Sequence, residues 1–459
     1  MTYDTISPDK SLQNVKLFPE ITEESTSYTF ASPTGLLYAT QFTQPALTLF
    51  EKAAFEDMRA KGLVSPCSVF AGHSLGEYAA LASVGDVLSI EILCDIVFYR
   101  GLAMQVAVER DLEGRSRYGM AAINPTRVGH GFDGAALQKL VPCIAIETGR
   151  LLEIVNYNVE NWQYVVAGDL LAIDVLSKSL DHVAKQNHLD ARRTIIIGEE
   201  GLKKTGTKMN NIIQQAISEC LEKEKKKGII TLERGIAMIP LAGIDVPFHS
   251  SFLLGGVPSF RRCLESKIRA SSIDPKVLRN NYIPNLIGKP FEISLQYVQE
   301  SLKKCNSDVL CALASNWKDS DLQDAAKVQE IGRTIIIEFL AFQFASPVLW
   351  TETQDILFRN LAIERLIEIG PSPVLVGMAE RTLKLKFQQY DDVMNQNRTL
   401  LNYVRDRSEI YYENQKVVIP ESTTCQIVKD KKKESPEQSH AIPVRAQTQT
   451  KLNFLKRYE

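Results

Sequence analysis

Apolar residues along this chain recur with two spacings. Val69-Phe70-Ala71 is a short strand-like run, whereas Ala46, Leu47, Leu49, Phe50, Ala53 and Ala54 follow the helical period. Thr43-Gln44-Pro45 is expected to open that helix, with threonine as cap and proline in the first turn. Ser89 caps a second helix, in which Ile90, Leu93, Cys94 and Val97 keep the period and which runs through Tyr99-Arg100-Gly101 to Met104. Farther on, the pattern predicts strands over 119–124, 152–156, 163–167 and 236–241, with helices over 134–140 and 174–186. That is the β-α-β-β-α-β order of a ferredoxin-like unit. An amphipathic helix over 211–227 is intercalated before its last strand. Tyr282-Ile283-Pro284-Asn285 is a strand end, 330–345 and 351–361 are helices, and 365–369 is a strand that turns through Gly370-Pro371-Ser372-Pro373 into another helix.

These elements predict an α/β fold. A large α/β-hydrolase-like subdomain with a parallel sheet carries a small ferredoxin-like subdomain inserted into it. The expected boundaries are an irregular segment over 1–35, the large subdomain over 36–117, the small one over 118–245, the rest of the large one over 246–415, and a disordered linker over 416–459. The most apolar stretch, 334–350, is interrupted by Glu338 and Gln343 and broken at Pro347, so it is a buried helix rather than a membrane span.

Composition narrows the function classes. The 459 residues carry a net charge of −2, which argues against nucleic acid as the main partner. The 8 cysteines lack Cys-x-x-Cys spacing, so no metal site or disulfide framework is indicated and a cytoplasmic location is expected. The N-terminal residues do not have the layout of a signal peptide.

The chemistry centres on Gly72-His73-Ser74-Leu75-Gly76. A Gly-x-Ser-x-Gly between a strand and a helix is a nucleophile elbow, which lifts the serine hydroxyl above the sheet and aims the next N–H, that of Leu75, at the same point. Glycines flank the serine because the turn is expected to be too tight for a Cβ at either position. Serine needs a base. Of the 6 histidines, elimination leaves His249, in Val246-Pro247-Phe248-His249-Ser250, where the chain returns to the large subdomain. The main-chain carbonyl of Asn285 and the carboxylate of Asp245 are alternative groups to orient it. Arg100, on an otherwise apolar helix, is suited to fork a substrate carboxylate.

Gly72-His73-Ser74-Leu75-Gly76-Glu77-Tyr78-Ala79-Ala80, Tyr99-Arg100-Gly101 with Met104-Gln105, and Pro247-Phe248-His249-Ser250 together resemble the malonyl-CoA:acyl carrier protein transacylases. Residues from about 18 to 317 are most similar to the malonyl/palmitoyl transferase domain that ends the fungal fatty acid synthase β subunit. Residues from about 334 to 413, with Phe344-Ala345-Ser346-Pro347 and Glu368-Ile369-Gly370-Pro371-Ser372-Pro373, resemble the start of the α subunit, as in single-chain synthases. The resemblance implies ping-pong acyl transfer from malonyl-CoA or palmitoyl-CoA, through an acyl-Ser74, to the phosphopantetheine of acyl carrier protein or to CoA. It implies no tightly bound cofactor, no membrane, and other synthase domains or subunits as partners. It assigns Arg100 to the malonyl carboxylate and Met104 and Phe248 to the acyl pocket. A backbone carbonyl near Asn285 would orient His249, in place of Asp245. Family members also carry a Gly-x-Gly-Ser-Gln strand whose glutamine N–H is the second oxyanion donor. This chain lacks that motif, so a missing first strand is expected, and with it a synthase fragment. Two rivals remain: a serine esterase or thioesterase, which requires an acid between Ser74 and the histidine, and a non-catalytic structural piece.

Overall fold

The computed structural model describes residues 2–6, 12–16, 21–27, 29, 35–189, 202–279 and 281–413, all within one compact unit, Met1–Glu413. The linker expected over 416–459 lies outside the described residues. In chain order the elements begin with β1 (Thr2–Ile6) and β2 (Leu12–Lys16), then α1 (Thr40–Ala60), β3 (Phe70–Ala71), α2 (Gly76–Ser83) and α3 (Ile90–Val106). Next come β4 (Tyr118–Ile123), α4 (Gly134–Thr148), β5 (Leu152–Val159), β6 (Gln163–Asp169), α5 (Leu170–Leu189), α6 (Leu202–Lys227) and β7 (Met238–Pro240). The chain then forms α7 (Val257–Lys267), α8 (Pro275–Leu278), β8 (Tyr282–Ile283), α9 (Leu295–Leu302) and α10 (Asp308–Ser315). Last are α11 (Ala325–Gln343), α12 (Trp350–Asp355), β9 (Arg365–Glu368), α13 (Val374–Thr382), α14 (Gln388–Met394), β10 (Thr399–Asn402) and α15 (Arg407–Ile410).

Two expectations need correction here. The segment 1–35 is not irregular throughout, because β1 and β2 pair antiparallel, Thr2 opposite Lys16 and Ile6 opposite Leu12. Helix α1 starts at Thr40 rather than at a Thr43 cap. The Thr43 hydroxyl instead donates back to the Ala39 carbonyl at 3.1 Å, as a helical threonine does, and Pro45 lies inside the helix.

The strand order β5-β6-β4-β7, antiparallel throughout, is the sheet that the β-α-β-β-α-β pattern predicts. Its two faces follow from alternation. Ala121, Ile123, Ile154 and Val166 pack under Leu137, Ile144, Leu176 and Leu180 of α4 and α5. Met120, Val155, Val165 and Ala167 face the other way, against Ile244 and Phe248. The parallel pairs are β3 with β8 and β9 with β10, and among the described residues neither β3 nor β9 pairs on its second edge. Buried Ile283, Leu357, Phe358, Ala379 and Phe387 gather Ala71, Leu366 and Leu400 of these strands into one cluster. The Glu368-Ile369-Gly370-Pro371 turn has a plain cause. The Glu368 carboxylate accepts from the main-chain N–H groups of Val374, Leu375 and Val376 at 3.1, 2.9 and 2.8 Å, capping α13 at its positive end.

Helix α11 is the buried helix expected from its apolar run. Glu338, within that run, is held by Arg261 Nη2 at 2.8 Å and by the Ser307 hydroxyl at 2.6 Å. Past α11 the chain runs beside β5: Val348 N–H donates to Val155 O at 2.9 Å, and Tyr157 N–H donates to Val348 O at 3.1 Å. The small sheet thereby fixes the loop that follows Gln343. Among the described residues no helix is long and apolar enough to cross a membrane.

Candidate active site

Ser74 sits between β3 and α2 with φ of 53°, a left-handed conformation that costs a non-glycine residue on the order of 1–3 kcal/mol. Three hydrogen bonds hold it there. Asn285 Oδ1 accepts from Ser74 N–H at 2.7 Å, the Asn285 amide donates to the Gly72 carbonyl, and Gln343 Nε2 donates to the Ser74 carbonyl at 2.6 Å. At about 1 kcal/mol net apiece, such bonds offset the strain. Only one flanking glycine is required by space. A Cβ on Gly72 would lie 2.0 Å from the Gly76 carbonyl carbon, whereas a Cβ on Gly76 would meet nothing within 4 Å. The expectation that both positions exclude a side chain therefore holds for Gly72 alone.

The serine and the histidine chosen by elimination meet. His249 Nε2 is 2.7 Å from Ser74 Oγ, and His249 Nδ1 faces two acceptors, the carbonyls of Gln343 at 3.0 Å and Ser346 at 3.1 Å. Two carbonyls at Nδ1 require the proton there, which leaves the Nε2 lone pair for the hydroxyl proton. The orienting groups thus differ from those expected. Asn285 acts through its side chain, on Ser74 rather than on His249, and Asp245 is engaged by Arg110, Nη2 to Oδ1 at 3.0 Å. Burial, and next the Arg100 charge, push the His249 pKa down to about 3.

Arg100 is 2% exposed and reaches the same hydroxyl. Its Nη2 donates to Ser74 Oγ at 3.2 Å and to Gln343 Oε1 at 2.8 Å, and its Nη1 donates to Gln44 Oε1 at 2.8 Å. Gly101 makes this possible: a Cβ there would sit 2.6 Å from Gln41 Cα, so its absence lets α1 approach α3 and present Gln44. Met104, one turn on, is buried with its Sδ 3.5 Å from Gln44 Nε2. Phe248 is half-buried where the large core meets the lower face of the small sheet. Among the described residues the Leu75 N–H has no hydrogen-bond partner, and it lies at the start of α2 beside Ser74. No group of three or more His, Cys, Asp or Glu among the described residues could hold a metal ion.

Gln44 and Gln343 are site residues that the sequence reading missed. For Gln343 a signal exists: a lone amide near the end of an apolar helix, 1% exposed in the structure. For Gln44, placed by the expected helix start in the first turn, there is none.

Residues 20–308 match the family model described as acyl transferase domain. The chain belongs to that family, and its chemistry is acyl transfer. Fatty acid synthase 2 of Mycosarcoma maydis is 43% identical over 414 residues, 90% of this chain and 11% of that protein. Fatty acid synthase subunit beta of Schizosaccharomyces pombe is 52% identical over 321 residues, 70% of this chain and 15% of that protein. The chain therefore spans only 11% and 15% of the length of these two relatives. Among solved structures, an acyl-carrier-protein S-malonyltransferase from Bartonella henselae shares the fold, with a TM-score of 0.51 at 20% identity, covering 84% of this chain and 83% of that one.

Proposed function

We propose that this chain moves malonyl and long-chain acyl groups between CoA and the phosphopantetheine thiol of acyl carrier protein, as the transferase part of a fungal-type fatty acid synthase. The observation that carries the reading is a buried arginine donating to the same hydroxyl that the histidine accepts from. His249 Nε2 takes the Ser74 proton as Oγ attacks the thioester carbonyl. The Leu75 N–H supports the oxyanion, the C–S bond breaks, and the departing thiolate recovers the proton from His249. An incoming thiol reverses these steps. Arg100 holds the malonyl carboxylate, and Met104 and Phe248 border the acyl chain. CoA and phosphopantetheine thioesters are substrates, no cofactor stays bound, other synthase domains are partners, and the location is cytoplasmic. Carbonyls rather than an acid at His249 Nδ1 weigh against the esterase alternative. Exchange of label between malonyl-CoA and free CoA tests the reading. Transfer supports it, release of free malonate would make the protein a hydrolase, and no turnover would leave it a structural piece.

The base has its own signature. It must be neutral to accept a proton, and a group is neutral above its pKa when its charged form is the cation. With His249 held down to about 3, acylation by an uncarboxylated acyl-CoA should stay level from about pH 7.5 to about pH 5. Stopped-time labelling across that range checks it. A fall with a midpoint near the ordinary histidine value of about 6.5 would show a solvated base instead.

A further inference from the structure

Gln343, the last residue of α11, contacts Ser74, His249 and Arg100. Its main-chain carbonyl holds His249, while its side chain makes a separate set of contacts. Oε1 accepts from Arg100 Nη2 at 2.8 Å, and Nε2 donates to the Ser74 carbonyl at 2.6 Å and to Glu77 Oε2 at 2.8 Å. The amide cannot turn over. Reversed, Oε1 would face the Ser74 carbonyl, which has no proton to give, and Nε2 would face a guanidinium that has only donors. Glu77, fully buried, is fixed in turn by the Tyr282 hydroxyl at 2.6 Å.

Arg100 has no carboxylate partner among the described residues. Neutral amide oxygens, from Gln44 and Gln343, hold its two Nη atoms, its buried Nε has no hydrogen-bond partner, and the guanidinium lies over the neutral Tyr78 ring, 5.1 Å from its centroid. Neutral acceptors orient a guanidinium without cancelling its charge, and an uncancelled buried cation attracts an anion strongly. Glu77, whose pKa burial raises to about 7, offsets that charge only in part and at one remove, through the Gln343 amide.

We propose that the Gln343 side chain, locked by Glu77, is a positioning residue that holds Arg100 as an uncancelled cation beside Ser74 and so sets the preference for acyl groups bearing a carboxylate. This rests on the acyl-transfer reading above. It is separate from orientation of the base, which uses the main chain of Gln343 and survives a change of side chain.

The test uses the full 459-residue chain as parent, with Gln343→Met, which approximates the side-chain volume, and Gln343→Ala. Ser74 labelling by malonyl-CoA and by acetyl-CoA is timed in the same preparation, so that their ratio does not depend on the fraction folded. The malonyl-to-acetyl ratio should fall about tenfold in both variants, with a raised KM for malonyl-CoA, while the pH profile with acetyl-CoA stays in place. An unchanged ratio, with both rates kept or both lowered together, would overturn the proposal, as would a displaced pH profile, which would mean that the side chain acts through the base. A parent chain labelled by neither thioester would overturn the acyl-transfer reading and this proposal with it.

Discussion

Ser74→Ala should end covalent labelling by malonyl-CoA, and His249→Ala should slow it by about 10⁶-fold, the loss found where nucleophile and base act as a unit. The 2.7 Å contact between Oγ and Nε2 makes them one. Without the imidazole, the hydroxyl keeps its proton at neutral pH, and Arg100 at 3.2 Å only donates to the oxygen and cannot take that proton. Without the hydroxyl, the base has nothing to deprotonate. Digestion after incubation with labelled malonyl-CoA should recover the label on the peptide containing Ser74. Label on Cys67, which is exposed, or on Cys94, which is half-buried, would displace Ser74 from this role.

The parts of the site legible in the sequence are those that local geometry dictates. An elbow needs a short strand, a glycine and a helix within a dozen residues, and Gly72 meets that need in the backbone itself. His249 was reachable because so few histidines compete. Arg100 stood out as a charge on an apolar helix. The small sheet was legible because its strands alternate faces and its helices keep their period. What stayed hidden depends on contacts between distant segments. Asn285 lies 211 residues from Ser74, and whether its main chain or its side chain acts depends on how β8 docks beside β3. Gln343 is 269 residues from Ser74, and its place as a polar residue on an apolar helix marks it for attention without giving its role, since Glu338, equally buried on that helix, serves Arg261 and Ser307. Strand β10 has only Leu400 and Leu401 as apolar residues, too few to show alternation without its partner β9.

Arg100→Ala should separate the two kinds of substrate. In a malonyl thioester one methylene lies between the reacting carbonyl and the carboxylate, so the anion must come to rest within a few ångströms of Ser74 Oγ. Arg100 Nη2, 3.2 Å from that oxygen, is the cation in reach. Truncating one member of a desolvated guanidinium–carboxylate pair costs roughly 2–5 kcal/mol. At 1.4 kcal/mol per factor of ten, malonyl transfer should fall about 30-fold or more. A palmitoyl group offers nothing for the guanidinium to bind. For that substrate the substitution acts through the base, since the Arg100 charge is second only to burial in holding down the pKa of His249. Removing a cation lets the imidazole accept a proton more readily, so palmitoyl transfer should hold or rise. Arg100→Lys should fall between, keeping the charge but losing the fork that Gln44 and Gln343 orient. Initial rates with malonyl-CoA and palmitoyl-CoA on each variant decide the matter. Equal losses with both substrates would make Arg100 a structural residue and remove the carboxylate from its account.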